Sequence, residues 1–183
     1  MMNNALVPSD VRAEQFEQLM RKYENAVLRT CFLYLSDRSL AEDAAQDTFM
    51  KVWRSIEKFE HRNNCSEKTW IMRIAINTAK DYRRTAWFRH VDISKAVEDV
   101  LPKYRPVESE TREILEDVLS MPPKYREAIL LYYFQNMTME EAAQALEISR
   151  PTFNRRLQKA HTLLRYELEG RDIDEGYSHS ATP

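Results

Sequence analysis

Glycine is almost missing from this chain, which has two in 183 residues. Without glycine there is no Gly-rich loop to cradle a phosphate, and few tight turns can form. Seven prolines add few breaks, so long uninterrupted helices are expected. The two cysteines, Cys31 and Cys65, lack metal-ligand spacing and read as reduced thiols of a cytoplasmic protein. The four histidines are scattered, with no HExxH or other ligand cluster. No catalytic constellation is present, so the expectation is a non-enzyme that needs neither metal nor cofactor. No apolar run approaches a membrane span, and the first residues lack the basic-then-apolar pattern of a secretory signal. Convincing strand alternation is absent too, which leaves an all-α fold.

The charge is unevenly distributed. The whole chain nets −2, which says little about partners. Residues 61–90 hold seven basic and two acidic side chains, and residues 148–166 hold five basic and none acidic, so each island nets +5. Residues 91–147 net −6 and residues 167–183 net −4. Two basic islands in an acidic chain predict two separate phosphate contacts. The acidic remainder predicts weak binding of random DNA by the chain alone.

The second island lies in the most informative stretch, residues 138–165. Thr138 and Glu141 have capping-box spacing. Ala142, Ala143 and Leu146 then form a short apolar stripe, and Ile148 follows in a turn. Ser149 can cap a second helix with Pro151 in its first turn, where a missing N–H costs little. Phe153, Leu157, Ala160 and Leu164 recur at helical spacing as a buried face. Asn154, Arg155, Gln158 and Lys159 point outward. Arg and Lys suit guanine edges and phosphates, and Asn and Gln suit adenine edges. Two helices joined by a tight turn, the second basic, describe a helix-turn-helix. An ordinary solvated helix is the alternative.

Upstream, a first helix is predicted from about Asp10 to Leu35, with Phe16, Leu19, Tyr23, Val27, Cys31 and Tyr34 on its inner face. Ser39 and Glu42 form another capping box. The helix after it turns Leu40, Ala44, Phe49, Val52, Trp53 and Ile56 inward, and Asp43, Gln46, Asp47, Lys51 and Arg54 outward. That polar side alone does not distinguish a partner surface from a solvated one. Residues 61–69 form a polar loop containing Asn63 and Asn64. Ser66 caps the next helix, 67–86. There Ile71, Ile74, Ala75, Thr78 and Tyr82 share one face, and Arg73, Asn77, Lys80 and Arg84 share the other. The second face sets an amide between cations, as a base reader with phosphate clamps would. Trp70 lies between the faces, and either core packing or base stacking suits it; core packing is the more common.

Residues 87–110 lose apolar periodicity, and Pro102 and Pro106 interrupt them. A second helical unit begins near Thr111, with Ile114, Leu115, Val118 and Leu119 inward. Met121-Pro-Pro breaks it. A helix resumes from Lys124 to Gln135, where the run from Leu130 to Phe134 implies packing on more than one side. The expected organisation is two small helical domains, 10–86 and 111–169, joined by a flexible linker, 87–110, with a polar tail at 170–183.

Four blocks resemble the extracytoplasmic-function (group IV) sigma factors of the sigma-70 family of bacterial RNA polymerase. They are Ala41–Trp53, Trp70–Arg84, Leu119–Leu131 and the helix-turn-helix. Their order and spacing match that family over about residues 12–168. The resemblance implies that Asp43, Gln46 and Asp47 dock on the clamp helices of the polymerase largest subunit. It implies that Asn63 and Asn64 in the loop, with Arg73, Asn77, Lys80 and Arg84, read the downstream (−10) promoter element around an extruded base. Arg150, Thr152, Asn154, Arg155, Arg156, Gln158 and Lys159 match the reader of the upstream (−35) element, with Arg156 as a phosphate contact. Other implied contacts are the flap of the second-largest subunit and, for the linker, the path toward the RNA exit channel.

The chain also departs from the family. Arg150-Pro151 stands where many relatives have a small residue, and Asn154 where a Lys or Arg is frequent. These changes affect base preference at the upstream element. The short polar tail implies no fused regulatory domain, so control by a separate anti-sigma factor is expected. Two other readings compete. A free-standing helix-turn-helix regulator would bind duplex DNA tightly by itself, and it leaves residues 41–84 unexplained. A helical adaptor that binds only proteins leaves the two basic islands unexplained.

Overall fold

A computed structural model describes residues 9–59, 65–85 and 109–178. In chain order the elements are α1 (Ser9–Leu35), α2 (Arg38–Ser55), a 3-10 turn (Ile56–Lys58), α3 (Glu67–Thr85), α4 (Ser109–Ser120), α5 (Pro123–Ile129), a π turn (Leu130–Phe134), α6 (Met139–Ala145) and α7 (Arg150–Ser178). Among the described residues there is no strand, in keeping with the all-α expectation. No helix among them is long and apolar enough to cross a membrane. The chain divides into two compact units, one built on α1–α3 and the other on α4–α7. Asn63, Asn64, residue 86 and residues 87–108 of the expected linker lie outside the described residues.

In the first unit each helix packs on the other two. Val27 and Cys31 from α1, Ala41, Ala44 and Val52 from α2, and Ile71, Met72, Ala75, Ile76 and Ala79 from α3 are fully buried. Small residues on α2 let its backbone approach both neighbours, which displaces its large side chains to the flank. Leu40, Phe49 and Trp53, expected inward, are therefore half-buried. Phe16 meets Trp53 edge-on with ring centroids 5.2 Å apart, and the Arg12 guanidinium covers Trp53 at 4.2 Å. The α3 stripe is wider than its expected single face, because α3 meets two helices: Met72, Ile76 and Ala79 join the core, while Ile74 is half-buried.

The start of α2 corrects the expected Ser39–Glu42 capping box. Asp37 is the N-cap, and its carboxylate accepts the Leu40 N–H at 2.9 Å. Asp is among the strongest N-caps, so the helix begins one residue ahead of Ser39, at Arg38. Glu42 instead accepts from Arg38 Nε at 2.9 Å. Ser66 caps α3 as expected, accepting the Thr69 N–H at 3.1 Å. Trp70 stacks on Phe59 with centroids 4.5 Å apart and planes 22° apart; it is half-buried, at the margin of the core.

In the second unit α7 packs on α4 and α5. Leu115, Val118 and Leu119 of α4 face the core, whereas Ile114 is exposed. Phe153 of α7 is fully buried, with Leu157 and Ala160 beside it; Leu164 is only half-buried. Pro123 opens α5, where its missing N–H is harmless. The continuous helix expected to Gln135 instead ends in the π turn, where the Gln135 N–H reaches back to the Leu130 carbonyl at 3.0 Å. Each residue from Glu127 to Leu131 is buried, as packing on several sides requires, but the widened turn carries Tyr133 and Phe134 out to solvent.

Helix ends here use non-glycine residues in the left-handed region. Ser36, Asn136 and Glu147 have φ of 52°, 48° and 57°.

Candidate functional site

The helix-turn-helix is built from its capping residues outward. At the start of α6 the Glu141 carboxylate accepts the Thr138 N–H at 3.0 Å, and the Thr138 hydroxyl accepts the Glu141 N–H at 3.2 Å. This is the reciprocal capping box. The helix closes with a Schellman pair: Ile148 N–H donates to the Ala143 carbonyl at 3.0 Å, and Glu147 N–H to the Gln144 carbonyl at 3.2 Å. Ser149 then caps α7, accepting the Thr152 N–H at 3.4 Å. Buried Ala142, Ala143 and Ala145 on one helix, with Phe153 and Leu157 on the other, supply the apolar sides of the motif.

All seven upstream-element residues read from the sequence fall on the first turns of α7. Arg150, Arg155, Gln158 and Lys159 are exposed; Thr152, Asn154 and Arg156 are half-buried. Several have specific partners. Arg150 pairs with Glu140 of α6. The Thr152 hydroxyl lies 2.9 Å from the Ser149 hydroxyl and accepts from Arg155 at 3.4 Å. Arg156, expected at a phosphate, lies 3.7 Å from the carboxylate of Glu127, a buried residue of α5. That pair ties α7 to α5.

In the first unit Asp43, Gln46 and Asp47 are exposed along one side of α2. Met50, one turn after Gln46, is also exposed at 52%. Sequence reasoning assigned Met50 to neither face, although its spacing of three and four from Asp47 and Gln46 places it on theirs. Tyr82 of α3, expected in the core, instead donates its hydroxyl to Asp47 Oδ2 at 2.7 Å. That bond and the adjacent negative charge push the Tyr82 phenol from 10.0 up to about 12. One turn further along α2, Lys51 donates to the Thr78 hydroxyl at 2.9 Å and lies 3.9 Å from Asp81.

The outer face of α3 shows Asn77 and Arg84 exposed, with Arg73 and Lys80 half-buried. Lys80 Nζ lies 5.9 Å from the centre of the Tyr34 ring, and Arg84 pairs with Asp81. Cys31 is wholly buried, and burial pushes its thiol from 9.0 to about 12. Cys65 is partly exposed.

Comparison with known proteins agrees with this geometry. Residues 19–89 match Sigma-70 region 2, and residues 111–164 match Sigma-70 region 4. The RNA polymerase sigma-E factor of Streptomyces coelicolor is 30% identical over 87% of this chain and 89% of its own. The ECF RNA polymerase sigma factor SigM of Bacillus subtilis is 29% identical over 81% of this chain and 92% of its own. A solved structure of the sigma factor RpoE from Bartonella quintana, in complex with the anti-sigma factor NepR, has the same fold. It covers 85% of this chain and 98% of its own at 22% identity, with a TM-score of 0.68. The chain belongs to the extracytoplasmic-function RNA polymerase sigma factors of the sigma-70 family. Its function is to direct promoter-specific initiation of transcription by RNA polymerase.

Proposed function

We propose that this sigma factor divides its work among three surfaces and leaves the chemistry to the polymerase. Domain 10–86 docks through Asp43, Gln46 and Asp47 on the clamp helices of the polymerase largest subunit. Its loop residues Asn63 and Asn64, with Arg73, Asn77, Lys80 and Arg84, hold the downstream element. Extruding a base costs a few kcal/mol, which binding of the unstacked base offsets. The segment 87–110 links this domain to domain 111–169, and 170–183 is a tail. In the second domain α7 enters the upstream major groove. Arg155, Gln158 and Lys159 face the bases and phosphates, and Arg150, Thr152, Asn154 and Arg156 flank them. The same domain meets the flap of the second-largest subunit. The protein acts in the cytoplasm, and a separate anti-sigma factor restrains it.

The observation that carries this reading is the doubly capped helix-turn-helix with Arg155, Gln158 and Lys159 exposed on one side of its second helix. The test is run-off transcription with purified core polymerase on genomic fragments, with and without the protein. Discrete new start sites with two shared upstream blocks support the reading, and an active core that yields none refutes it. Replacing Asp47 with Lys is expected to weaken co-purification with core enzyme while the helical spectrum persists.

A further inference from the structure

The residues expected to dock on polymerase and the residues expected to read the downstream element lie on different helices. Among the described residues, the shortest of the polar contacts between those helices is the one from Tyr82 Oη of α3 to Asp47 Oδ2 of α2 at 2.7 Å. We propose that Tyr82 is a positioning residue for polymerase docking, holding the Asp47 carboxylate in place through its hydroxyl so that α2 engages the polymerase with α3 already set in register.

Three features support this. Asp47 stands at an exposed helical position, where an unrestrained carboxylate would sample several rotamers and lose entropy on binding. The phenol fixes one oxygen, and an ionised carboxylate keeps acceptor capacity for a cation on the partner. The bond is also one rung of a polar seam. Asp43 lies close enough for its charge to act on the same phenol, and Lys51, one turn beyond Asp47, bonds Thr78 of α3 and lies beside Asp81. Asp81 in turn holds Arg84, one of the cations assigned to the downstream element. Tyr82 is not wholly buried, so its hydroxyl reaches the surface where Asp47 stands.

This inference rests on the assignment of Asp47 to polymerase docking, and the experiment separates the two. The full chain is titrated against core polymerase by fluorescence anisotropy as wild type, Tyr82→Phe, Asp47→Ala, the double variant and Thr78→Val. Tyr82→Phe keeps the ring and removes only the hydroxyl. It is expected to weaken binding roughly two- to five-fold, the cost of ordering one more side chain on binding. Asp47→Ala is expected to weaken it at least as much, and the double variant no more than Asp47→Ala alone. Thr78→Val breaks the adjacent rung without touching Asp47, so it is expected to lower the melting temperature and leave the affinity unchanged. Wild-type affinity for Tyr82→Phe beside a weakened Asp47→Ala overturns the positioning role alone. Additive losses in the double variant, or an equal loss from Thr78→Val, overturn it in favour of a general packing role. Wild-type affinity for Asp47→Ala overturns the docking assignment and this proposal with it.

Discussion

Helices α3 and α7, the two proposed DNA readers, carry similar side chains on their outer faces, an amide or two among cations, yet they hold them differently. On α7 the residues Arg155, Gln158 and Lys159 are exposed, and the helix is fixed from beneath by Phe153 and by the Arg156–Glu127 pair. On α3 two of the cations are held closer to the protein, Lys80 near Tyr34 and Arg73 half-buried, while Arg84 is exposed beside Asp81. Asn77 is an exposed amide there. A helix entering an intact groove gains from outstretched side chains that meet base edges. A helix that receives a melted strand gains more from a fixed wall with few degrees of freedom.

The largest effect is expected from the floor of α7. Phe153→Ala empties a fully buried site and is expected to cost about 3–5 kcal/mol. Urea unfolding followed by circular dichroism would show an early loss of α4–α7. Fluorescence of Trp53 and Trp70 would still report the first unit, and simultaneous loss of both signals would show that the two regions do not fold separately. Next, Arg155→Ala or Gln158→Ala is expected to cost about 1–3 kcal/mol at particular upstream base pairs. Holoenzyme affinity measured on single-base promoter variants checks this. An equal loss on every variant would make these residues phosphate contacts, like those expected of α3.

Smaller effects separate the two ways of starting a helix. Asp37→Ala and Thr138→Ala should each cost about 1 kcal/mol, the first lowering the stability of α1–α3 and the second that of α4–α7. Thermal melts of the two variants decide which signal moves. Last, a thiol reagent on the native chain should modify Cys65 and spare Cys31 until denaturant is added. Both the Cys31 thiol and the Tyr82 phenol ionise near 12 in the fold, above their ordinary values of 9.0 and 10.0. A folded value above the unfolded one means the neutral group stabilises the fold fully below the unfolded value, and the contribution is lost as pH rises through the folded one. The stability gap between wild type and Tyr82→Phe is therefore expected to stay flat up to about pH 10 and to close toward pH 12.

Much of this fold was legible in the sequence because caps and apolar periods are local signals. The Thr138–Glu141 box, the Ser66 and Ser149 caps and the buried Phe153 and Leu157 stand as read. What escaped depends on neighbours. Periodicity does not say that α3 touches two helices, so Met72 and Ile76 were left out of its buried face. It also treats tyrosine as apolar, which hid the reach of the Tyr82 hydroxyl to Asp47. The π turn escaped because one extra residue in a run of large apolar side chains leaves no mark on composition. The places of the charged side chains along α3 and α7 were legible as helix positions. Their partners, such as Glu127 for Arg156, were not, since an ion pair between helices needs the packing first.

The scarcity of glycine has an engineering consequence. Ser36, Asn136 and Glu147 turn the chain through left-handed backbone while carrying a Cβ, a conformation that costs roughly 1–2 kcal/mol for an ordinary L-residue. Glycine there would relieve the clash and give back part of the gain as greater freedom of the unfolded chain. Ser36→Gly is thus a route to a more heat-resistant variant that leaves each proposed contact residue unaltered. Asn136 tolerates the left-handed region better than most residues and has the least to gain.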